Sequence, residues 1–341
     1  MAKKETSPKF ATSAKFIEHL KKVTPKNISL VDEMADILGL SNDSAYRRLR
    51  GETPLSLDET MLLCKKFRIS LDMLTNKTQG KVTFTYKSLG NDIIDLDSYL
   101  ESIIKDFKNI IKAESVHLYF AAEDVPLFHH MEYEYLTPFK FFYWKKSILN
   151  DPTLEGKKFD IKHIPKKTLD LAQEIVEQYV SLNSTEVWTE ESITSTLSQI
   201  QYFWEAGLFA NKKDAINVCK DVLAMAEHMN KQADISTKFL RKKKQPDESS
   251  GNFNLYSCEV QIGNNSLFVQ ADKLKISLLS FNTFNSLLTF NLDYCIENER
   301  WINNLIKKSI LISSVSEKQR YQFFKRIYSM IEDVIKSIEN S

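Results

Sequence analysis

Apolar positions recur every three or four residues along most of this chain, and the phase of that repeat marks out a series of short helices at its start. Phe16, Ile17, Leu20 and Val23 share one helical face within residues 12–23, and Pro25 then breaks the run. Ser29 can cap a second helix, with Asp32 at the positive end of its dipole. Leu30, Met34, Ile37 and Leu38 point inward from it, and Gly39 supplies the left-handed backbone that ends it. Ser41 offers a new cap almost at once, so the helix over 42–50 must cross its predecessor steeply. Such a crossing needs a small residue at the contact, and Ala35 stands there, four positions before Gly39. After Gly51, Ser56 and Glu59 form a capping box ahead of an apolar face of Leu57, Thr60, Met61, Cys64 and Phe67. A last short helix starting at Ser70 brings in Leu71 and Leu74.

The pattern then changes. Residues 81–87, KVTFTYK, alternate with Val82, Phe84 and Tyr86 on one side, as a short strand or an extended linker would. From Asp92 the repeat is helical again, with Ile93, Leu96, Leu100, Ile103, Phe107 and Ile110 in strict three-four spacing. That spacing suits a seam between two copies. It suits a core helix equally, because Ile94, Ile104 and Ile111 widen the stripe. Phe324, Ile327, Ile331, Val334 and Ile338 repeat the pattern in the final helix and offer a second candidate interface. Between these helices, SVHLYFAA reads as a buried strand, residues 139–149, 166–182 and 190–231 read as helices with a break near Gly207, and residues 274–291 read as further strands. Tyr256, Cys258, Val260 and Ile262 lie on one face ahead of a Gly-Asn turn and a returning strand, which predicts a hairpin over 254–271.

Length and composition narrow the choices. With 341 residues, the chain divides naturally into a helical segment over 10–76, a linker strand and connecting or dimerising helix over 77–112, and a larger α+β domain over 113–341. Only eight glycines occur, about a third of average usage, and neither GxGxxG nor GxxxxGK[ST] is present, which disfavours phosphate-cradling enzymes. The opening residues lack a secretory apolar run and no stretch is long enough to span a bilayer, so a cytoplasmic protein is expected. Cys64, Cys219, Cys258 and Cys295 stand far apart, as reduced buried thiols do. Residues 1–78 hold 14 Lys and Arg against 10 Asp and Glu, a sign that suits contact with a polyanion.

The spacing of Ala35, Gly39, an apolar residue and a capping Ser41 is a helix-turn-helix signature. With five helices and the trailing Arg50-Gly51, residues 10–76 resemble the phage-repressor type of helix-turn-helix domain, the family of lambda repressor and Cro. The resemblance implies double-stranded DNA as partner, and implies that the second helix of the motif enters the major groove. Its capped start at Ser41 would face the groove; Asn42, Asp43, Ser44, Tyr46 and Arg47 would meet base edges, while Arg48 and Arg50 hold phosphates. The overall expectation is a mainly α chain with a smaller β component: a five-helix, lambda-repressor-like domain followed by a larger α+β domain.

Chemistry is sparse elsewhere. His129 and His130 precede Glu132 and Glu134, yet neighbours on one element do not share a face as the histidines of HExxH do, so neither a metal, a cofactor nor an enzymatic activity is expected. Arg241 to Lys244 could touch phosphates or form a solvated loop. Phe128 to Trp144 holds eight aromatics in seventeen positions. Such density is either core or a small-molecule pocket, whose walls would be Phe128, Tyr133, Tyr135, Phe139, Phe142 and Trp144. A sequence-specific transcriptional regulator, homodimeric and responsive to a small-molecule or protein effector, accounts for these features together; an enzyme or a protein-interaction module attached to a DNA-binding domain is the alternative.

Overall fold

A computed structural model describes residues 11–24, 28–67, 69, 71, 81–87, 95–243 and 245–341. Its N-terminal part holds helices α1 (Ala11–Val23), α2 (Leu30–Leu38), α3 (Asn42–Leu49) and α4 (Leu57–Phe67). Phe16, Ile17, Leu20, Met34, Leu49 and Leu63 are buried together as the core of this unit. Ser29 accepts a hydrogen bond from the Asp32 amide as the α2 cap, and Gly39 ends that helix at φ 64°. α2 and α3 pack on one another, and Ala35 and Ala45 are both buried, the latter fully. The α4 face differs in part from expectation: Cys64 is buried as expected, but Leu57 is 72% exposed and Met61 53%, because the helix turns Leu63 inward in their place. Pro25 and the fifth helix expected from Ser70 lie outside the described residues, save Leu71, which packs on the same core.

The larger part starts at β1 (Thr85–Tyr86) and continues through α5 (Leu96–Ile110), β2 (Val116–Ala122), α6 (Leu136–Tyr143), α7 (Lys166–Val180), β3 (Asn183–Trp188), α8 (Thr194–Glu205), α9 (Lys212–Ile235) and β4 (Phe253–Ser257). Then follow β5 (Ser266–Ala271), β6 (Leu274–Phe281), β7 (Asn285–Thr289), α10 (Leu292–Lys307), β8 (Ile310–Leu311) and α11 (Glu317–Asn340). The strands form one mixed sheet in the order β1-β7-β6-β5-β2-β3-β4-β8. β2, β3 and β4 run parallel and are joined by helical crossovers, whereas β5, β6 and β7 add antiparallel hairpins beside β2. The hairpin expected over 254–271 is therefore not formed. β4 pairs with β3 and β8, β5 pairs with β2 and β6, and two strands separate them. Gly251 admits the chain into β4, where a Cβ would lie 2.2 Å from the Leu182 carbonyl oxygen.

Helices α5 to α9 and α11 cover one face of the sheet, and α10 covers the other through Cys295, Ile302 and Leu305. Both stripes that could have formed seams between copies lie in the first of these cores. Leu100 on α5 is 1% exposed, and Phe324, Ile327 and Ile331 on α11 no more than 2%. α11 packs along α9, and α5 along α7, so most of their apolar faces are covered within the chain, Ile103 and Ile110 of α5 being only partly buried. Ile93 and Ile94 lie outside the described residues. Among the described residues no helix is long and apolar enough to cross a membrane.

Candidate nucleic-acid interface

α3 begins at Ser41, whose hydroxyl accepts from the Ser44 amide at 3.3 Å and so meets one of the unpaired donors of the first turn. Ala45 and Leu49 anchor the inner side of the helix in the core. Its outer side presents Asn42, Asp43, Tyr46, Arg47 and Arg50, all exposed, with Ser44 half-buried beside them. This is the division of labour a reading helix needs: an apolar seam that fixes its height and a polar face left open to a groove.

The arginines divide into two kinds. Arg47 and Arg50 project outward, Arg47 Nε 3.3 Å from Asp43 Oδ2 and Arg50 Nε 3.2 Å from Glu52 Oε1, with more than half of each of these side chains or its partner in solvent. Exposed pairs of this sort contribute little and open readily. Arg50 also lies over the Tyr46 ring, 5.9 Å from its centre. Arg48, expected on phosphate, is turned the other way. Its Nη2 stands 2.7 Å from Glu59 Oε1, its Nε donates to both carboxylate oxygens, and Nη1 reaches the Ser44 carbonyl at 3.3 Å. Glu59 also accepts from the Ser56 amide at 2.9 Å, completing the expected capping box at the start of α4. The guanidinium hydrogen bond holds the Glu59 carboxyl below its usual range against the opposing effect of burial. Arg48 and Glu59 thus fasten α3 to α4. Asn42 is tied in a similar way, its Nδ2 3.0 Å from Asp32 on α2.

The aromatic run falls mainly in the core. Phe139, Phe142 and Trp144 are fully buried, Phe139 against Phe159, Phe203 and Phe209, and Trp144 donates from Nε1 to the Asn282 carbonyl at 2.7 Å. Tyr133 is covered by Arg241, and the Tyr135 amide is held by Asp221. Phe128 alone of the six borders a large cleft, about 2080 Å³, which opens over the sheet beside α5 and reaches Met61 and Leu62 of α4 at its rim. Sequence reasoning did not bring together Asp124, His130 and Lys140, which line that cleft. The available signal was Lys140, a lone charge inside FKFFYW.

His129 and His130 do not converge on a common point. His129 Nε2 is 3.0 Å from Glu186, a fully buried carboxylate that also accepts from Trp188 Nε1 and the Tyr179 hydroxyl. Burial pushes the Glu186 carboxyl up, but His129 and Tyr179 outweigh it and hold the group ionised. Lys238, over the Tyr179 ring at 3.9 Å, is pushed down to about 7 by burial. His130 turns instead to Thr196, and among the described residues no three His, Cys, Asp or Glu side chains come together as metal ligands would.

Comparison of the chain with curated proteins and with solved structures finds no match to either. A match to a protein family covers residues 14–94, and the family is the BetR domain, a helix-turn-helix-type DNA-binding domain of transcription regulators. This similarity supports a DNA-binding segment of the helix-turn-helix type and does not support the lambda-repressor type suggested by resemblance.

Proposed function

We propose that this protein is a sequence-specific transcriptional regulator that reads DNA with the outer face of α3, acts as a homodimer, and receives a signal through its larger domain. One observation carries the reading: within a segment matching a DNA-binding family, the helix after the Gly39 turn buries Ala45 and Leu49 and leaves Asn42, Asp43, Tyr46, Arg47 and Arg50 open. Arg47 and Asp43 are suited to base edges, since arginine pairs with guanine and a carboxylate accepts from the cytosine amino group. Arg50 is suited to phosphate, and Tyr46 stiffens it by stacking. Ser41 and Ser44 serve the helix start, where backbone donors face an approaching phosphate.

A single helix-turn-helix contacts few base pairs, so specific affinity calls for two copies about 34 Å apart on a repeated half-site. With α5 and α11 packed inside the chain, the dimer surface lies elsewhere. The cleft over the sheet supports a sensing role, because a regulator that only bound DNA would have no use for one. Selection of binding sites from a random-sequence DNA library with the full-length protein tests the proposal. An enriched motif made of two related half-sites is expected; a library that stays random after repeated rounds would refute it.

A further inference from the structure

The cleft has an apolar floor built by cross-strand register. Phe120, Leu267, Leu278 and Leu288 stand opposite one another in a row across β2, β5, β6 and β7. Leu118, Val269 and Ile276 form a second row beside it. Cover thins along the first row: Phe120 is buried, whereas Leu267, Leu278 and Leu288 are each only half-buried. Ile103 and Phe107 of α5 supply one wall.

Asp124, His130, Lys140 and Asn265 line the same cleft where the β2 end of the floor is covered, with Asn265 Oδ1 accepting from the Asp124 amide at 2.9 Å. Lys140, 1% exposed, donates to Thr196 Oγ1 at 3.1 Å and Gln199 Oε1 at 2.9 Å, and stands 3.8 Å from Asp124 Oδ2. An ammonium only donates, so Thr196 Oγ1 accepts from it and directs its own proton to His130 Nε2, 3.3 Å away. We assign His130 the tautomer with its proton on Nδ1, which leaves Nε2 to accept the Thr196 proton, and burial keeps the ring neutral. His130 Nδ1 and Asp124 Oδ1 are both buried without a well-formed hydrogen bond, the Leu127 carbonyl drawing only weakly on the histidine. Buried polar atoms of this kind are ordinarily satisfied. Here they offer one donor and one acceptor beside an apolar floor.

We propose that the cleft binds an elongated apolar molecule ending in one neutral group that both donates and accepts, a primary alcohol or primary amide, placed between Asp124 Oδ1 and His130 Nδ1. The charges already present, Lys140 and Asp124, compensate each other. A carboxylate head would be repelled by Asp124 and an ammonium head by Lys140, each in a site with little water to screen it. The apolar rows take the chain of the ligand, whose burial supplies the affinity. This deepens the reading of the larger domain as a receiver of signals, but the binding measurement stands without it.

Calorimetric titration of the full-length protein at pH 7.5 with 1-decanol, decanamide, decanoate and decylamine tests the site. The two neutral compounds should bind at least about tenfold tighter than the two charged ones, the equivalent of one hydrogen bond to a charged group. Leu278→Trp, which fills the floor, should abolish binding of all four while leaving the protein folded. Asp124→Asn leaves the Lys140 charge uncompensated and should bring decanoate level with decanol or above it; if that variant does not fold, Lys140→Met should raise decylamine in the same way. Equal binding of neutral and charged compounds, no binding of any, or undiminished binding by Leu278→Trp would overturn the assignment. Repeating DNA titrations on the selected site with decanol present separates the two claims: a shift in DNA affinity upholds sensing, and binding without a shift keeps the site and removes only its regulatory role.

Discussion

At the scale of single residues, three arginines within four positions have different environments. Arg48 has 16% of its side chain exposed and Glu59 19%, so their contact is partly shielded and closes several hydrogen bonds at once. Arg48→Ala should lower stability by about 2 kcal/mol, the worth of hydrogen bonds to a charged group left without its partner. Arg47→Ala, which loses only an exposed pair, should stay within about 0.5 kcal/mol of the parent. Urea unfolding of both variants checks this, and equal losses would show that Arg48 is not the fastener. The Ser56–Glu59 box was legible because its spacing is local and fixed by helix geometry. The Arg48–Glu59 bridge was not, since it spans a turn whose path decides whether the two side chains meet.

At the scale of elements, helical stripes were legible but their partners were not. The repeat in α5 and α11 suits a seam between copies as well as a core, and only the packing of α5 on α7 and α11 on α9 decides for the core. Leu100→Glu and Ile331→Glu should accordingly unfold the protein, each costing more than about 4 kcal/mol, as buried charges without partners do. Circular dichroism together with light scattering checks this; a folded monomer from either variant would restore the seam. β3 escaped a sequence reading because its buried positions include Ser184, Thr185 and Glu186, polar residues made tolerable by the hydrogen bonds they receive and give. The hairpin over 254–271 failed for another reason. Alternation identifies a strand but not its neighbour, and the sheet inserts β2 and β3 between β4 and β5.

At the scale of the whole molecule, the N-terminal helices and the presence of later strands were legible in the change of pattern along the chain, whereas the sheet order depends on long-range pairing that no local signal carries. The larger unit should also report its buried histidines. His228, whose Nε2 lies 2.8 Å from the Phe239 carbonyl, is held down at about 4, chiefly by burial. Between that value and about 6.5 the unfolded chain takes a proton that the folded one refuses, so stability is complete above 6.5 and falls on acidification, by up to about 1.4 kcal/mol per pH unit. His117 and His130 are held down by burial as well, so urea midpoints between pH 6.5 and 5 should show at least that slope, and His228→Gln should reduce it without abolishing it. The claim central to the proposed function is that the open face of α3 reads DNA. Titrating the selected site and a scrambled duplex with the parent, Arg47→Ala and Arg50→Ala is the most direct measurement. Arg47→Ala should lose about 1–3 kcal/mol of discrimination between the two duplexes, and Arg50→Ala should weaken both alike. If both variants bind both duplexes as the parent does, α3 is not the reader.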